Sequence, residues 1–115
     1  MKSVVAILVF FALGQSALAQ TAEPVRVPTD RRANYSIIVQ DVGHGRSALM
    51  VISRRIGPSG TSFAIREVNC VDQTFRYMAD GDSLDEALEN IDDTQRMSDL
   101  VTGSISYYIV QAACR

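Results

Sequence analysis

The chain has 115 residues, 11 basic and 13 acidic side chains, a net charge of −2 at pH 7, one histidine and two cysteines. Its length suits one domain, and the acidic balance excludes the basic-surface class of nucleic-acid binders. One histidine and two cysteines cannot provide a conventional zinc site of three or four ligands once the two cysteines are oxidised to a pair.

Lys2, the unbroken apolar run Val4–Leu13 and the small-x-small triplet Ala17-Leu18-Ala19 predict a cleavable signal peptide over residues 1–19. Ten apolar residues make about 15 Å of helix, roughly half the hydrocarbon core of a bilayer. No stable membrane anchor is therefore expected after cleavage, and the expected location is the periplasm or the exterior. Removing residues 1–19 takes away Lys2, leaving ten arginines against 13 acids and a net charge of −3. The charge is polarised. Residues 20–60 carry six arginines and three acids, whereas residues 61–115 carry four arginines and ten acids.

Residues 20–33 hold two prolines and few large apolar groups, and read as an extended leader before a domain at 34–115. Tyr35–Val42 is rich in β-branched residues and is predicted as a strand, ending at Gly43-His44-Gly45. Ala48–Ile56 is a second strand, closed by the turn signal Gly57-Pro58-Ser59-Gly60. Thr61–Cys70 is a third, with Phe63 and Ile65 on one face and Ala64, Val68 and Cys70 on the other. Thr74–Met78 is a short fourth. Short connections between consecutive strands favour an antiparallel meander.

The period then changes. Ser83-Leu84-Asp85-Glu86 fits a capping box, and Leu84, Ala87, Leu88 and Ile91 fall on one helical face, so a helix is predicted from Leu84 to about Ile91. Leu100–Gly103 is a connection. In Ser104–Cys114 the positions Ile105, Tyr108, Ile109, Ala112 and Ala113 fit a helix, while Ile-Ser-Tyr-Tyr-Ile-Val has high β propensity; periodicity leaves both open.

Cys70 and Cys114 in an exported chain are most simply read as a disulfide. Among side chains that carry chemistry, His44 has no nominated nucleophile or orienting partner. Asp80, Asp82, Asp85 and Glu86 fail the EF-hand pattern, with Asp85 where glycine is required and Ile91 where glutamate is required. No glycine-rich phosphate loop is present. No catalytic residue, metal ligand or cofactor is assigned. The candidate partner-binding residues are the arginine pairs Arg31-Arg32 and Arg54-Arg55, together with His44 and Arg46 in the turn between the first two strands.

The run Arg66-Glu67-Val68-Asn69-Cys70, then Phe75-Arg76-Tyr77, then Gly103-Ser104-Ile105 with Ala113-Cys114, resembles the C-terminal half of surface-adhesin protein E-like domains, small exported proteins of Gram-negative bacteria. The resemblance covers residues 61–115. The chain departs from the family in its shorter mature part, its lack of tryptophan and its acidic run over residues 79–99. The resemblance implies an α+β fold: an antiparallel sheet of about four strands with a C-terminal helix packed on it, N-capped by Ser104 and pinned to the sheet by the disulfide. The function expected is a non-enzymatic binding module that contacts a protein or other macromolecule, adhesin-like in kind. An accessory or inhibitor subunit of a periplasmic enzyme is the alternative, and a hydrolase with an unrecognised site a third reading.

Overall fold

Alternating β-branched and polar residues build a meander in which each strand pairs with its sequence neighbour. A computed structural model describes residues 21–115; the expected signal peptide lies outside them. The sheet runs in the order β1 (Glu23–Val25), β2 (Asn34–Asp41), β3 (Leu49–Gly57), β4 (Gly60–Asn69), β5 (Thr74–Gly81) and β6 (Ser98–Asp99). Every pairing is antiparallel. Among the described residues two short α-helices, α1 (Leu84–Glu89) and α2 (Ile105–Ala113), and one 3-10 turn at Gly45–Ser47 complete the order. The fold is α+β, and Ser104–Cys114 resolves as helix: the Ser104 hydroxyl accepts from the Tyr107 N–H at 3.1 Å, the bond an N-cap serine makes.

The count of about four strands is corrected to six among the described residues. The additional strands are the edges. β1 lies inside the expected leader, where Glu23, Pro24 and Val25 pair with Ile37, Ser36 and Tyr35. Proline is tolerated on an edge because its missing N–H faces outward, and Val25 and Val27 are buried in the core. β6 is two residues long, pairing Ser98 with Phe75 and Asp99 with Thr74.

The sheet buries both faces. On one, Ile37 of β2, Leu49 and Val51 of β3 and Val68 of β4 meet Ile109, Val110 and Ala113 of α2. On the other, Ile52 of β3 and Ile65 of β4 pack with Ala87 of α1, flanked by Phe63, Met78 and Leu84. Helix α1 is shorter than predicted. It ends at Glu89 and leaves Leu88 and Ile91 exposed, because its six residues offer only Leu84 and Ala87 to the sheet.

The Cys70–Cys114 disulfide is formed, joining the end of β4 to the C-cap of α2 across 44 positions. No helix among the described residues is long and apolar enough to cross a membrane.

Candidate functional site

α2 covers only part of its sheet face. The remainder bears Arg55, Ser62, Ala64, Arg66 and Tyr77, and borders an open cavity of about 650 Å³. Strand register puts these groups together. Arg66 of β4 lies between Val51 of β3 and Tyr77 of β5, and the neighbouring rung carries Ser53 opposite Ala64. Directly opposite and diagonal residues on one face lie within side-chain reach. A β-bulge follows: Ile65 pairs with Ala79 and Arg66 with Tyr77, so Met78 is an extra residue on β5. The bulge lets Met78 and Ala79 both pack beside α1 while Tyr77 stays on the α2 side with Arg66.

Arg66 is only 2% exposed. Its Nε donates to Ser106 Oγ at 3.2 Å, Nη1 to Ser53 Oγ at 2.8 Å and Nη2 to Tyr77 Oη at 2.7 Å. Its guanidinium carbon lies 4.5 Å from the centre of the Tyr77 ring, a cation–π distance. All these partners are neutral. Among the described residues the ion pairs are Arg55–Asp30 and Arg76–Glu67, and none reaches Arg66. Burial pushes the Arg66 pKa below its ordinary value, with Tyr77 pulling the other way. Arginine nevertheless keeps its proton in proteins, so a full positive charge is held here without a counter-ion. The first turn of α2, which supplies Ser106, adds the positive end of a helix dipole.

Arg55, on the same face, makes the contrast. Its Nε donates to Asp30 Oδ2 at 2.9 Å and to Tyr35 Oη at 3.2 Å, while the Tyr35 hydroxyl donates to the same carboxylate at 2.7 Å. These hydrogen bonds, Arg55 first, hold the Asp30 carboxyl below its ordinary 3.8, and the bond to Asp30 raises Arg55 above its ordinary value. Arg55 is neutralised by its own chain; Arg66 is not.

The hydrogen-bond directions specify what the site lacks. A guanidinium has five N–H groups, and three are used, leaving one on each terminal nitrogen. Ser53 passes its hydrogen to the Ala64 carbonyl at 3.5 Å. Ser106 passes its hydrogen to the Tyr77 oxygen at 3.2 Å, which leaves the Tyr77 hydrogen free. Two N–H groups, one O–H and one positive charge make a donor set suited to an anion. The rim has the opposite sign, with Asp80, Asp82 and Glu86 all exposed beside the opening.

Comparisons of the chain with protein-family models, with curated proteins and with solved structures give no match. The chemistry of this face therefore carries the functional reading.

The residues expected to bind a partner divide between two ends of the sheet. Arg31 and Arg32 are exposed in the turn leading to β2, beside Asp30 and its partner Arg55, and Arg54 is exposed on the opposite face of β3. His44 and Arg46 lie in the turn before Leu49, at the far end of β3, about 17 Å away at 3.4 Å per residue. The six do not form one patch. Arg46 is engaged: its Nη2 donates to the Cys114 carbonyl at 2.7 Å and its own carbonyl accepts from the Cys70 N–H at 2.8 Å, clasping the disulfide end. His44 is exposed, and its carbonyl accepts from the Ser47 hydroxyl. Among the described residues no group of three or more His, Cys, Asp or Glu is placed to hold a metal ion.

Arg66 was not among the expected site residues. Its signal lies in the alternation: Ala64, Val68 and Cys70 share one face, and position 66 falls between them on that face. An arginine in a run of inward positions is either an error of register or a buried charge.

Proposed function

We propose that the chain is an exported, non-enzymatic binding module that grips an anionic group of a partner macromolecule in the Arg66 cavity. The observation that carries this reading is a buried guanidinium with no counter-ion among the described residues, facing an open cavity and leaving three hydrogen-bond donors unused. Desolvating an ion costs several kcal/mol, and neutral hydroxyls offset part of that cost without cancelling the charge. An anion from a partner completes the site. Tyr77, 42% exposed, and Ile105, 36% exposed, flank the opening and supply apolar surface for the same contact. Export and the periplasm or exterior as the compartment are part of the proposal. They rest on the N-terminal signal pattern and on the disulfide, which persists where the surroundings are oxidising. The resemblance of residues 61–115 to surface-adhesin protein E-like domains fits a binding role of this sort.

The test is a paired capture from periplasmic extract and from the organism's external ligands, using the mature chain and its Arg66→Met variant as baits. A macromolecule held by the parent and lost with Arg66→Met supports the reading. Identical retention by both baits, or nothing held by the parent above the variant, contradicts it. N-terminal sequencing of the exported protein tests the compartment, with Gln20 expected as the first residue.

A further inference from the structure

The Arg66 cavity combines a donor-rich floor with an acidic rim, and the two together restrict the anion. Resting on the reading of this cavity as the binding site, we propose that the group it takes is a single carboxylate, in preference to a phosphate or sulfate ester.

The floor sets the shape of the ligand. Arg66 has one N–H left on each terminal nitrogen, and its other three are committed to Ser106, Ser53 and Tyr77. One unused N–H on each terminal nitrogen gives the two oxygens of a carboxylate a donor each. The free Tyr77 hydrogen supplies a third bond to either oxygen, because each carboxylate oxygen accepts more than once. These three donors serve both oxygens of a carboxylate. A phosphate ester brings about two negative charges at neutral pH, and the floor has one positive charge that no carboxylate among the described residues neutralises.

The rim sets the charge. Asp80 pairs with Ala64, one rung beyond the Arg66–Tyr77 pair, and Asp82 and Glu86 follow on the same side of the opening. No arginine or lysine is paired with any of the three among the described residues. Arg55, the other cation on this face, is already held by Asp30. A single negative charge reaching Arg66 gains more from the buried cation than it loses to the solvated rim, since charges interact more strongly away from water. A second negative charge stays nearer the rim and meets repulsion with no new partner.

The source is a protein side chain, Asp or Glu, or a free small acid. The two share this chemistry and differ in what flanks the carboxylate. The experiment titrates isotope-labelled mature protein at constant ionic strength and follows the Arg66 Nε–H and the Tyr77 ring by NMR. The probes are glutamate blocked at both backbone ends, sodium acetate, and phosphoserine blocked in the same way. The carboxylates are expected to give saturable shifts at both reporters, with phosphoserine weaker by about tenfold, a gap of the size that a few rim charges a few ångströms away produce. Blocked glutamate binding more tightly than acetate assigns the carboxylate to a protein partner; equal affinities assign it to a free acid, which supports the carboxylate and overturns the macromolecular partner. Asp80→Asn, exposed and outside the floor, is expected to narrow the gap. Phosphoserine binding as tightly as glutamate overturns the carboxylate assignment and leaves the cavity reading standing. No saturable shift from any of the three overturns both.

Discussion

The Nε–H of Arg66 donates to Ser106 Oγ at 3.2 Å, joining strand β4 to the first turn of α2 across 40 positions. This contact also sets the rotation of the helix. The apolar residues at 105, 108, 109, 112 and 113 predict one inward stripe, yet the buried positions are Ser106, Ile109, Val110 and Ala113. Ile105 is 36% exposed while Ser106 is 5% exposed. The helix turns a serine inward and an isoleucine outward because a buried guanidinium needs acceptors. Tyr108 and Ala112 keep partial contact with the core from the side of the stripe.

Ser106→Ala removes the acceptor of Arg66 Nε and the donor to Tyr77 while leaving the helix cap at Ser104 in place. A buried hydrogen-bonding group that loses its partner costs about 1–3 kcal/mol, more when it is charged. Denaturant unfolding is expected to show a loss in that range with an unchanged m-value. A loss of a few tenths would mean that Ser106 is inward for packing alone.

Arg66→Met is expected to behave differently, because it removes the charge instead of stranding it. Exchanging a buried ion for an apolar side chain of similar volume is often neutral or stabilising. Ser106 and Tyr77 keep the bond between them, and Ser53 keeps its bond to Ala64. The variant is expected to unfold within about 1 kcal/mol of the parent or above it. A loss of 3 kcal/mol or more, as for a broken buried pair, would make Arg66 a structural group.

Cys70→Ser opens a loop of 44 positions that ties β4 to the end of α2. The chain-entropy model gives about 4 kcal/mol for a closure of this size, a large share of the 5–15 kcal/mol typical of a domain. A sharp fall in melting temperature is expected, and reductant is expected to bring the parent to the same value. Unchanged melting in both would mean that the bond contributes little to folding.

Asp30 gives the acid dependence. Arg55 and the Tyr35 hydroxyl lower its pKa from the ordinary 3.8, so its contribution is present above that value and is lost as pH falls through the lower folded value. Asp92, bonded by the Thr94 hydroxyl and N–H, is lowered in the same direction. Asp30→Asn is expected to flatten part of the stability loss below about pH 4. Melting curves of parent and variant between pH 2 and 7 check it; parallel curves would mean that Arg55 and Asp30 are uncoupled in solution.

Much of the sheet is legible in the chain. Strands β2 to β5 follow from alternation and from Gly57-Pro58-Ser59-Gly60, where Gly60 takes a φ of +119° that only glycine adopts without strain. The edges are not legible, because β1 and β6 have three and two residues, too few for a period. The site is legible only in outline. Composition points to the exposed arginine pairs, whereas the surroundings of the buried Arg66 depend on the pairing of β3 with β4 and on the bulge at Met78. Neither the bulge nor the bond from Arg55 to Asp30, 25 positions away, has a local signature.

The most direct measurement is the melting temperature of a protein of residues 20–115 against increasing sodium acetate, at constant ionic strength, beside its Arg66→Met variant. A ligand that binds only the folded state stabilises it by about 2.7 kcal/mol at a hundred times its dissociation constant. A saturable rise in the parent, absent from Arg66→Met, is the result predicted for a buried cation that awaits a carboxylate. Equal rises in the two proteins, or none in either, would contradict it.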